Sequence, residues 1–182
     1  MPTAPTAAPA APFVGRDGLL RRLGEHYRAG KHVLLVGQPG SGKSLLVAEF
    51  ARTHRLLWAP RSGSLGEILA ALEPAIGVEA GELKIAARVH RLAAALPKLG
   101  CPLVLDNVSR VPPRVAHLVR VLLTSQPVWL LTRSTLPLDI GHLWSLLFFF
   151  VRIDLPPSSP VGRPPGNARG AGGRAAPAPL NT

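Results

Sequence analysis

Between residues 37 and 44 the chain reads G-Q-P-G-S-G-K-S: Gly37, four residues, then Gly42, Lys43 and Ser44. This is the spacing G-x-x-x-x-G-K-[ST], and its chemistry is that of a cradle for phosphate. The glycines let successive backbone N–H groups turn inward without a Cβ clash, which makes a nest for phosphate oxygens at the positive end of the following helix. Lys43 supplies a charge for the β and γ phosphates, and Ser44 a hydroxyl for Mg²⁺. Gln38, Pro39, Gly40 and Ser41 complete the loop and, with Leu45 just beyond it, make up the expected phosphate contacts. The ligands expected are ATP or ADP together with Mg²⁺.

Such a loop needs a second group on the magnesium side, an acid at the end of an apolar strand lying beside the first. "PLVLDN" supplies Asp106 there, positioned to hold Mg²⁺ directly or through water. Its neighbour is Asn107. A carboxylate at that place can orient or activate an attacking water, whereas an amide can only hydrogen-bond, so hydrolysis is expected to be slow or absent. A later strand ends "LLTRS", which puts Thr132 and Arg133 at the carboxyl edge of the sheet, where open α/β proteins bind ligand. Arg133 is a candidate to sense the γ-phosphate; a solvated strand-end arginine is the alternative.

The elements that must hold these groups follow from periodicity. "HVLLV" is an apolar run of strand length, and "SLLVAEFARTH" after the loop has helical spacing. A helix is expected over Asp17–Arg28, ended by Gly30. Further strands are expected at "RLLWAP", "CPLVLDN", "PVWLLT" and "LFFFVRIDL", with helices around 65–76, 82–96 and 111–124 between them. Strands alternating with helices imply parallel crossover units. The fold class expected is α/β: a three-layer αβα sandwich of the P-loop NTPase kind, with a mainly parallel five-stranded sheet. The triple "FFF" at 148–150 reads as a buried central strand, Cys101 as a small core residue, and Lys84, Arg88 and Arg91 as a solvated helix face or a stripe for a phosphate backbone.

Composition bounds the rest. The 182 residues are 47% hydrophobic and 17% charged, which suits one ordinary domain with a real core. The 20 prolines and 18 glycines crowd the two ends. Residues 1–12 are therefore expected to form a mobile arm and residues 158–182 a disordered tail, flanking a nucleotide-binding domain over 13–157. The net charge of +11 suits a polyanion such as nucleic acid, or merely an arginine-rich surface. One cysteine excludes an internal disulfide, and the six histidines show no metal-ligand spacing. The N-terminus lacks the form of a secretory signal, and "LWSLLFFFV" is far short of the roughly 20 apolar residues of a spanning helix. A cytoplasmic location without membrane contact is expected.

Taken in order, "FVGRDGLLRRL", "GQPGSGKS", "PLVLDN", "WLLTRS" and "FVRIDLPP" resemble the nucleotide-binding domain of AAA+-related regulatory ATPases, the STAND group, over roughly 13–157. The resemblance implies that Val14, Gly15 and Arg16 lie in a loop near the adenine, that Asp106 is the Walker B acid, and that Arg133 is the sensor arginine. It also implies a helical lid after "L-P-P". The Pro/Gly/Ala/Arg text found there instead suggests a linker left by truncation, or an out-of-frame reading of a longer gene.

The function expected is that of an ATP-binding switch module, with self-association or protein partners in view. A small P-loop kinase, a nucleic-acid-associated ATPase and a non-catalytic remnant stay open as alternatives.

Overall fold

The structure, a computed structural model, describes residues 16–59, 64–77, 83–108, 111–133 and 141–156. The expected arm, Val14, Gly15 and the tail lie outside the described residues. Helix α1 (Asp17–Arg28) leads into strand β1 (Val33–Gly37), and helix α2 (Lys43–Ala51) follows the glycine loop. Then come β2 (Leu57–Ala59), α3 (Leu65–Leu72), α4 (Ile85–Ala95), β3 (Leu103–Val108), α5 (Pro113–Leu123), β4 (Val128–Arg133) and β5 (Val151–Asp154).

The strands form one sheet in the order β2-β3-β4-β1-β5, and each observed pairing is parallel. Side chains alternate across it. Leu34 and Val36 of β1, Leu103 and Leu105 of β3, and Val128 and Leu130 of β4 enter one core with α3, α4 and α5. Val33, Leu35, Val104, Trp129 and Leu131 enter a second core with Leu23 of α1 and Leu46, Val47 and Phe50 of α2. Burial on both faces is why β1 and β4 read as unbroken apolar runs. The three-layer α/β architecture is as expected, with all five strands parallel.

Local chemistry sets the ends of the helices. Ser64 and Glu67 form a reciprocal capping box at the start of α3. Pro74 then follows, and the chain tightens into a 3₁₀ turn over Glu73–Ile76. Cys101 is buried in the first core.

Three expectations are corrected. The acid-bearing strand β3 does not lie beside β1: β4, fully buried except at Arg133, stands between them. Residues 148–150 are not a central strand. Phe148 and Phe149 end a 3₁₀ segment, Gly141–Phe149, in which Leu143 and Leu146 turn inward at i, i+3 spacing while Phe148 is 77% and Phe149 51% exposed; Phe150, just after it, is buried in the first core. Pairing with β1 begins only at Val151, opposite Val33, so the phenylalanines have no strand to join, and β5 is an edge. Arg88 is neither simply solvated nor free for a phosphate backbone. Its Nε and Nη2 grip both carboxylate oxygens of Glu73 at 2.6 Å each, and Glu73 is only 2% exposed. A buried carboxylate requires such a partner.

Candidate functional site

The glycine loop leaves the carboxyl end of β1 and re-enters regular structure as the first turn of α2. It needs glycine at specific places. A Cβ on Gly37 would fall 2.6 Å from Ser41 Oγ and 3.2 Å from Leu155 Cβ, and Gly40 and Gly42 take φ of 77° and 78°. Ser41 is buried, and its N–H closes a turn on Gln38 O at 3.0 Å.

Lys43 folds back over this loop. Its Nζ donates to Gly37 O at 2.7 Å, to Gln38 O at 3.0 Å and to Ser41 Oγ at 3.4 Å. Burial pushes its ammonium below the ordinary lysine value; Asp106 pulls it back up and Arg133 pushes it down again. Lys43 on α2 thus feels both Asp106 on β3 and Arg133 on β4.

They share a cleft of about 230 Å³, lined by Pro39, Gly40, Lys43, Ser44, Asp106, Asn107, Leu131, Thr132 and Arg133. Asp106 is 8% exposed, and its Oδ1 accepts the N–H of Asn107 at 2.6 Å. Asn107 sits in an irregularity of the β3–β4 ladder at φ 54°. That left-handed conformation is tolerated by Asn, Asp and Gly and resisted by most other residues.

Thr132 lines the cleft beside Arg133, at the carboxyl edge where the sequence puts both; Leu131 was not expected there, and the signal for it was its position just before them on a strand that lies at the centre of the sheet. Conversely, Leu45 is 52% exposed and does not line the cleft. Gly37, Gln38, Ser41 and Gly42 belong to the loop without lining the cleft. Arg16, also outside the lining, donates from Nη2 to Ser41 O at 2.7 Å and from Nη1 to Gly42 O at 3.3 Å.

The donor set fits a phosphate group with a divalent ion. Two cations, one carboxylate and the hydroxyl residues Ser44 and Thr132 line the cleft, and the loop offers the N–H groups of a helix start. Among the described residues no cluster of three or more His, Cys, Asp or Glu side chains could hold a metal by itself, so a hard cation here would depend on ligand oxygens and water. Nor, among the described residues, is any helix long and apolar enough to cross a membrane.

No model of a protein family matches the sequence, and no curated protein does. Among solved structures the chain is similar to the ORC1 protein of Aeropyrum pernix, solved in complex with DNA. The TM-score is 0.58 and the identity 21%, over 80% of this chain and 46% of that one. It is also similar to a chain of the Drosophila ORC bound to DNA, at a TM-score of 0.52 and 13% identity, over 76% of this chain and 87% of that one. A more distant likeness, at a TM-score of 0.43 and 19% identity, is to a STAND protein of Pyrococcus horikoshii with a tetratricopeptide repeat sensor, over 84% of this chain and 25% of that one. The chain spans about half the length of the Aeropyrum chain it matches. The parallel sheet, its order and the first two likenesses agree: the chain has the α/β fold of the P-loop NTPases.

Proposed function

We propose that the chain is the ATP-binding module of an AAA+/STAND-like ATPase, acting as a nucleotide-dependent switch whose hydrolysis is slow. The observation that carries this reading is the meeting of Lys43, Ser44, Asp106 and Arg133 in one cleft beside the glycine loop. Burial and the neighbouring Arg133 both weigh against the charge on Lys43, and Asp106 offsets only part of their sum; a triphosphate would supply the negative charge that remains wanting.

In this reading the N–H groups between Gly40 and Ser44 cradle phosphate oxygens, and Lys43 exchanges its loop carbonyls for them. Ser44 and Asp106 would hold Mg²⁺, which would supply neutralising charge for the β and γ phosphates. Arg133 reads the γ-phosphate. Asn107 hydrogen-bonds water in the cleft without accepting its proton, which is why turnover is slow. Val14 and Gly15 belong to the adenine side by resemblance to the family.

The exposed Trp144, Phe148 and Phe149 support a protein partner or self-association, and the charge of +11 is compatible with nucleic acid. Calorimetric titration with ATP, with and without Mg²⁺, tests the binding step. Phosphate release with and without DNA tests the rest. Mg²⁺-dependent binding with a low basal rate is expected; absence of binding overturns the proposal, and a high rate overturns its slow-hydrolysis part.

A further inference from the structure

We infer that Arg16 is a positioning residue for the phosphate loop: its guanidinium holds the Ser41–Gly42 and Gly42–Lys43 peptides from behind, and so aims the N–H groups of Gly42 and Lys43 at phosphate. The inference rests on the proposed nucleotide site and deepens it. It differs from the adenine-side place that resemblance to the family implies for this residue.

The geometry is that of a fork. Arg16 Nη2 donates to Ser41 O at 2.7 Å and Nη1 to Gly42 O at 3.3 Å, across 25 and 26 residues of sequence. A trans peptide is planar, with its C=O and N–H pointing in opposite directions. Holding these two carbonyls therefore turns the paired N–H groups, those of Gly42 and Lys43, away from Arg16. A cation on the carbonyl also polarises the peptide and strengthens its N–H as a donor. Gly42 O accepts the N–H of Leu46 at 2.9 Å as well, so the grip and the first turn of α2 share an acceptor.

Two further observations show that the loop is built around this side chain. A Cβ on Gly42 would fall 2.6 Å from Arg16 Nη1, so the arginine occupies the space that a glycine leaves. The Arg16 carbonyl accepts the N–H groups of Leu19 and Leu20 at 2.9 and 3.0 Å, which anchors its backbone to the start of α1. The guanidinium thus reaches the loop from a fixed point.

The test uses two probes, ATP with Mg²⁺ and inorganic tripolyphosphate with Mg²⁺, titrated into the full chain as wild type, Arg16→Ala, Arg16→Lys and Lys43→Ala, with a thermal melt of each. A positioning role predicts that Arg16→Ala weakens both probes by the same factor, about tenfold for the loss of two charge-assisted hydrogen bonds. Arg16→Lys recovers part of this, because an ammonium lacks the fork. Should Arg16→Ala fail to fold, Arg16→Lys carries the test through a smaller but equal loss on both probes. Weakened ATP with unchanged tripolyphosphate overturns the inference in favour of a base contact, as do Arg16 variants that match wild type while Lys43→Ala weakens both probes. If wild type binds neither probe, the nucleotide-site reading itself falls, and this inference with it.

Discussion

Asn107 donates its backbone N–H to Asp106 Oδ1 at 2.6 Å while holding φ at 54°. The contact pins one oxygen of the carboxylate, and it depends on a backbone conformation that few residues accept. The amide side chain is thus one of a small set that both fits the bend and faces the cleft.

Substitutions at Asn107 should separate these two roles. Asn107→Gly keeps the fold and the pinned carboxylate, whereas Asn107→Val lowers stability by about 1–2 kcal/mol, the cost of a left-handed conformation. Asn107→Asp tolerates the bend and adds a carboxylate, so phosphate release should rise above wild type. Melts and a phosphate assay on the three variants check this; equal stability of the Val and Gly variants would contradict the conformational part.

Arg133 stands level with Gly37 in the β4–β1 register, so the arginine and the start of the glycine loop share one height at the sheet's edge. An arginine that reads the γ-phosphate discriminates by that group. Arg133→Ala should weaken ATP about tenfold and ADP far less. Competition titrations give both values, and equal losses would assign Arg133 a general electrostatic role instead.

His32 gives the fold a pH dependence away from the site. Its Nδ1 accepts the N–H of Val128 at 3.1 Å, and burial pushes its pKa below the ordinary value, partly opposed by a hydrogen bond to the Leu123 backbone. The unfolded chain takes up this proton near pH 6.5, and the folded chain only at lower pH. Stability therefore falls as pH drops through 6.5 and levels off below the folded pKa. Denaturant melts from pH 8 to 5 should show the loss, and His32→Gln should flatten it.

Local patterns were the legible part of this molecule. Asp17–Arg28 is helical as its leucine spacing implies, and over residues 33–51 the strand and helix follow from periodicity and the loop between them from the spacing of Gly37, Gly42, Lys43 and Ser44. What periodicity does not carry is neighbourhood. "LFFFV" reads as a strand because its residues are apolar, but β1 begins too late to pair with Phe148 or Phe149. The insertion of β4 between β1 and β3 is a choice of topology that brings Leu131 and Thr132 into the cleft. The Glu73–Arg88 pair and the reach of Arg16 to Ser41 are contacts across 15 and 25 residues, which helix and strand periods cannot reveal.

The central claim is that the loop from Gly37 to Ser44 binds ATP, and Lys43 tests it most directly. Lys43 donates to Gly37 O and Gln38 O, and its charge is assigned to the β and γ phosphates. Calorimetric titration of wild type and Lys43→Ala with Mg²⁺-ATP should show binding to the wild type and a loss of tenfold or more in the variant, about 1.4 kcal/mol at least. Equal affinity of the two proteins would contradict the account.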